Sequence, residues 1–141
     1  MSTGIDAAHT GAATGPDRIA SRAQFALAGV YFLAVAVALA RAAQFSGRLY
    51  LPHQGDEFTG NADLWPGALA VVWLALMIVM SSVPLLSGLM ALFALAQLAS
   101  ARVRADRRRR RTLLASTVLS ALVVAASFTP QAQTVLGWLL D

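Results

Sequence analysis

A chain of 141 residues that is 57% hydrophobic and only 13% charged, with a mean hydropathy of +0.63, has too little charge to coat a water-soluble surface, for which about 25% is usual. Its net charge is +4 and cysteine is absent, which excludes disulfides, thiolate metal sites and cysteine nucleophiles. All eleven basic residues are arginine, which beside abundant alanine is the bias of a GC-rich, bacterial genome; seven of them fall between Arg102 and Arg111, so the basicity belongs to one segment and argues against a nucleic-acid footprint.

The first 22 residues are rich in Gly, Ala, Ser and Thr, carry Pro16 and show no apolar period, so a flexible N-terminal tail is expected over 1–22 and a single membrane domain over 23–141. No charged residue occurs from Ala23 to Ala40, and the apolar run continues past Arg41 to Phe45, which gives the roughly 20 residues of a membrane-crossing helix. Arg18 and Arg22 before a run ending in Ala38-Leu39-Ala40 also fit a cleaved secretory signal, but the run exceeds the roughly 7–15 residues of a signal's apolar core. Residues 23–45 are therefore read as the first span, with Ala34 and Ala38 offering a small-residue packing face.

Ser46 to Leu64 is a polar connection in which Pro52, Gly55 and Gly60 are turn formers and His53, Asp56, Glu57 and Asp63 are the residues with reactive side chains. An imidazole with nearby carboxylates is the raw material of a divalent-cation site or of acid-base chemistry. One histidine without the paired helical spacing of zinc motifs favours a solvated connector, so no catalytic, metal or cofactor site is expected.

Trp65 to Ala101 is an uncharged run that, as one helix, would reach about 55 Å against about 30 Å of hydrocarbon. A break at Ser81-Ser82-Val83-Pro84, with Ser82 as cap and Pro84 in the following first turn, divides it into spans of about 65–82 and 83–103. The alternative is one tilted or Pro84-kinked helix. Residues 112–128 form the last span, ended by Thr129-Pro130, and the closing apolar residues Val135, Leu136, Trp138, Leu139 and Leu140 are expected to lie on the membrane surface.

The expected fold is thus all-α, a multi-pass transmembrane helical bundle with four spans favoured and three as the alternative. Under the positive-inside rule the Arg-rich loop 102–111 faces the cytoplasm, and the cell membrane is the expected location. Arginine counts do not choose between the two, because four spans place Arg41 and Arg48 with the loop whereas three place Arg18 and Arg22 there.

Arg102, Arg104, Arg107, Arg108, Arg109, Arg110 and Arg111 set topology and are candidates for contact with anionic lipid headgroups or an acidic partner protein. Thr112, Ser116 and Ser120 recur every four residues and mark a helix-packing face, within one chain or in self-association. Gln97 is read as an interhelical hydrogen-bond partner. The spans hold no acidic or histidine residue of the kind proton relays use. The favoured reading is a non-enzymatic accessory or homo-oligomeric membrane component. The alternatives are a transporter or channel component, and a membrane enzyme using His53, Asp56 and Glu57.

Overall fold

A computed structural model describes residues 15–57 and 64–141. The N-terminal segment 1–14, on which most of the expected tail falls, lies outside the described residues, as does Asp63. Helix α1 (Pro16–Ser46) begins seven residues before the expected span, with Pro16 in its first turn, and it ends at Gly47, whose φ of 71° places it in the left-handed region. There the Gly47 N–H donates to the carbonyl of Ala43 at 2.9 Å, a helix termination that glycine adopts without steric cost. The expected tail therefore gives up residues 16–22 to the helix.

After the loop and a short 3-10 turn (Gly67–Leu69) comes α2 (Ala70–Leu98), a continuous helix that contains Pro84. The expected hairpin at Ser81–Pro84 is not formed. Proline removes one N–H from the helix ladder, a loss that a continuous helix in a membrane tolerates where neighbouring helices and serine hydroxyls satisfy the freed backbone groups. Ser81 turns its hydroxyl back onto the carbonyl of Met77 at 2.6 Å in the turn before the proline.

The Arg-rich segment is also helical rather than a loop. Arg102 and Arg104 lie on the short α3 (Ala101–Ala105), and Arg107 to Arg111 open α4 (Arg107–Ser127). Asp106, extended between them, caps α4 by accepting from the N–H groups of Arg108 and Arg109 at 3.0 and 3.2 Å. Thr129 caps α5 (Pro130–Leu140) by accepting from the Ala132 N–H at 3.3 Å.

Helices α1, α2 and α4 pack against one another in pairs. Ala20, Ala94 and Leu113 meet at one end, Ala28, Tyr31, Val83 and Val123 in the middle, and Ala34, Ala38, Leu76 and Met80 towards the other. Position numbers rise along α1 and α4 while they fall along α2, so α1 and α4 are parallel and α2 is antiparallel to both. Small alanines at near-helical spacing on α1, namely Ala20, Ala28, Ala34, Ala38 and Ala42, are buried and let the other helices approach closely. Helix α5 folds back over the far end and inserts Val135, Trp138 and Leu139 into the same cluster as Ala38 and Met80, so these three face protein rather than a membrane surface, while Leu140 is exposed.

The bundle buries polar groups and exposes apolar ones. Gln24, Ser87, Ser116 and Ser120 are fully enclosed, whereas Leu33, Val71, Leu85 and Leu92 stand more than 60% exposed on the long helices. That inversion suits lipid as the surrounding solvent and is costly in water. Three helices, Arg18–Ser46, Gly67–Leu98 and Arg107–Ser127, are long and apolar enough to cross a membrane, and they mark this chain as a membrane protein.

Candidate anion-binding site at the arginine-rich end

The parallel arrangement of α1 and α4 brings their N-terminal turns together. Arg18 and Arg22 sit one turn apart on α1, and Arg108 and Thr112 sit one turn apart on α4. With Arg109, Ser21, Phe25 and Asp106 they line a cavity of about 440 Å³. Sequence reading singled out Arg108 and Arg109 but did not include Arg18 and Arg22 among the contact residues; the favoured break at Pro84 sends the two pairs to opposite ends of the bundle, and the three-span alternative sends them to the same end. With α2 unbroken, nine of the eleven arginines belong to segments at this end.

The charge balance here is strongly positive. Asp106 is tied to its own helix, capping α4 through one carboxylate oxygen and pairing with Arg109 Nε at 3.2 Å through the other. Among the described residues, Arg18, Arg22 and Arg108 have no acidic partner. The positive ends of the α1 and α4 backbone dipoles add to the same field. Arg107, Arg110 and Arg111 are exposed but do not line the cavity, and the side chains of Arg102 and Arg104 are outside the described set.

Of the expected packing face, Ser116 and Ser120 are buried, whereas Thr112 is exposed and donates its hydroxyl to the Arg108 carbonyl at 3.1 Å. Gln24, a residue that sequence reading passed over, joins all three long helices: its Nε2 donates to the Met90 carbonyl at 3.1 Å and its Oε1 accepts from Ser116 Oγ at 2.7 Å. Gln97, expected in that role, has a buried Oε1 with no partner among the described residues, as have the hydroxyls of Ser87 and Ser120.

At the opposite end, Arg41 is fully engaged. Its Nε donates to the Leu64 carbonyl at 3.2 Å, Nη2 donates to the same oxygen, and Nη1 donates to Gln44 Oε1 at 2.6 Å. The guanidinium also lies 4.6 Å from the Phe45 ring centre and 5.1 Å from that of Trp65. Arg48 stands 6.0 Å from the ring centre of Tyr50.

The His53 loop is organised by Asp56. The carboxylate accepts from the His53 N–H and from Tyr50 Oη, both at 2.9 Å, and lies 3.3 Å from His53 Nε2. Burial first, and then the hydrogen bond and charge of Asp56, push the Tyr50 phenol up to about 12, against a lowering influence from Arg48. Glu57 is exposed and lines a smaller cavity with Arg48 and Asp56. Among the described residues no group of three His, Cys, Asp or Glu side chains is placed to hold a metal ion.

Comparisons with family models, with curated proteins and with solved structures find nothing that matches this chain.

Proposed function

We propose that this protein is a non-enzymatic accessory component of the cell membrane, crossing it three times through α1, α2 and α4 and presenting its arginine-rich end to the cytoplasm. In this reading the packed bundle is an anchor, and the basic end engages an acidic surface, either the anionic leaflet or an acidic membrane-protein partner. The observation that carries it is the gathering of arginines from α1, α3 and α4 at one end, while the two arginines of the other end are held by Leu64, Gln44 and aromatic rings. Such asymmetry orients a membrane protein with its basic end inside.

The interior supports the same reading. Between Ala23 and Ala40, Ala70 and Leu98, and Thr112 and Ser127 there is no Asp, Glu, Lys, Arg or His to relay protons or coordinate a transported ion. Asp56, the carboxylate beside His53, is already occupied in holding the loop.

The lack of native cysteine makes the test direct. Gly60→Cys and Ala105→Cys, made separately, are labelled in intact and permeabilised cells with a membrane-impermeant maleimide. The three-crossing reading expects Gly60→Cys to label from outside and Ala105→Cys only after permeabilisation; labelling of both only after permeabilisation overturns it. The accessory role is tested on the same cells by chemical cross-linking with and without glutamine at Arg107 to Arg111. A cross-linked species that is lost in the substituted protein supports an acidic membrane-protein partner, and a monomer in both overturns that partner and leaves the anionic leaflet as the surface engaged.

A further inference from the structure

The level of the arginine-lined cavity along the bundle follows from the sequence. The uncharged run of α1 starts at Ala23, one residue after Arg22, and that of α4 starts at Thr112, directly after the last arginine. In the three-crossing reading, on which this inference rests, the cavity therefore lies at the depth of the lipid headgroups. Phe25, 43% exposed on the cavity wall, stands where hydrocarbon begins.

We propose that this cavity is a binding site for one anionic phospholipid, whose phosphodiester is held by Arg18, Arg22, Arg108 and Arg109 and whose acyl chains leave past Phe25. Four arginines line one space with, among the described side chains, a single carboxylate, and that carboxylate is committed to the α4 backbone and Arg109. Like charges gathered in this way repel unless an anion joins them, and arginine's planar fork suits phosphate oxygens. The cavity's volume of about 440 Å³ is in the range of small-molecule sites, about 300–1,000 Å³. Basic pockets between helices at the cytoplasmic surface are a recurrent mode of lipid-headgroup recognition. The apolar wall at Phe25 distinguishes a lipid from a free phosphate, which gains nothing from it.

The sharpest consequence concerns Arg18 and Arg22, which are distant in sequence from the arginine run. The full-length protein is purified in mixed micelles of phosphatidylglycerol and phosphatidylcholine, and retained lipid is read by native mass spectrometry. The wild type is expected to keep one phosphatidylglycerol in preference to phosphatidylcholine. Arg18→Gln with Arg22→Gln should weaken that retention about fivefold for each arginine removed, which corresponds to about 1 kcal/mol each. Arg108→Gln with Arg109→Gln should do the same from the other wall. Arg107→Gln, Arg110→Gln and Arg111→Gln together remove more charge but should leave retention within twofold.

Equal weakening by all three sets means a diffuse basic surface; it overturns the cavity and leaves the proposed function standing. Retention unchanged in every set overturns the site and removes anionic lipid as the target of the basic end. Displacement of phosphatidylglycerol by inorganic phosphate at millimolar concentration overturns the lipid as occupant and assigns the site to free phosphate. A change in maleimide labelling of Ala105→Cys in the variants reports altered topology, for which the α4 pair, leaving the α1 flank intact, is the deciding set.

Discussion

Ser116 on α4 donates its hydroxyl to Gln24 on α1 at 2.7 Å, across 92 positions of sequence, and Gln24 in turn donates to the Met90 carbonyl of α2. One fully buried amide thereby ties the three long helices together. Interhelical hydrogen bonds in membrane bundles contribute about 0.6 kcal/mol on average and up to about 1.7. Gln24→Leu, which removes two of them, is expected to destabilise the bundle by about 1–3 kcal/mol in detergent unfolding experiments. Ser116→Ala is expected to cost less, and the double variant less than the sum, because both single variants remove the same bond. Full additivity would show that the two side chains do not interact.

One helical turn further along α4, Ser120 is as deeply buried as Ser116, yet its hydroxyl has no partner among the described residues, and Ser87 on α2 is in the same condition. A buried hydroxyl without a partner costs about 1–3 kcal/mol of desolvation. Replacement by alanine removes that penalty and leaves only a small void. Ser87→Ala and Ser120→Ala are thus expected to be neutral or to stabilise by up to about 1 kcal/mol. Loss of more than that in the same unfolding assay would mean that these hydroxyls are bonded in the folded protein.

The contrast between these serines shows how far the sequence is legible. The all-helical, membrane-compatible character follows from long uncharged runs; the four-residue spacing of Thr112, Ser116 and Ser120 points to one face, of which Ser116 and Ser120 are buried and Thr112, in the first turns of α4, is exposed. Which serine bonds across the interface does not follow, because that depends on what the facing helix presents at the same level. Gln24 was overlooked for a related reason: with α1 taken to begin at Ala23, it sat at the edge of the span, whereas the helix begins at Pro16 and carries Gln24 into the bundle. Pro84 had the largest effect. Its missing N–H was weighed as a terminator ahead of the kinked continuous helix that membranes tolerate. The favoured break reversed the parity of the chain, so Arg18 and Arg22 met Arg108 and Arg109 at one end only in the three-span alternative.

Tyr50 gives the loop a measurable alkaline titration. In a Tyr31→Phe background its ionisation, followed by absorbance near 295 nm, is expected only towards pH 12. Asp56→Asn removes the carboxylate that holds the phenol protonated, so the transition should move down towards the ordinary value of 10.0. The folded-state value is raised, so the associated stability is present below about pH 10 and is lost as the pH rises through about 12. Tyr50→Phe should abolish that loss. A transition that stays in place in Asp56→Asn would assign the shift to burial alone.

Arg41 fastens the far end of the loop by donating twice to the Leu64 carbonyl and once to Gln44 while lying over Phe45 and Trp65. Lysine keeps the charge but has neither the planar face nor the fork that reaches these acceptors together. Arg41→Lys is therefore expected to behave almost as badly as Arg41→Gln, each destabilising the bundle by about 1–2 kcal/mol through lost hydrogen bonds and cation-π contact. Because Leu64 lies where the loop rejoins the bundle, the same variants should speed limited proteolysis between Arg48 and Trp65 several-fold. The intact wild type cleaved at the same rate as Arg41→Lys would show that the loop is held by Asp56 and by the contact from the Gly55 N–H to Asp141 at 3.2 Å, and not by the arginine. Cleavage that accelerates in Arg41→Gln but not in Arg41→Lys would reduce Arg41 to a point charge, and the stacked geometry over Trp65 would then have no energetic role.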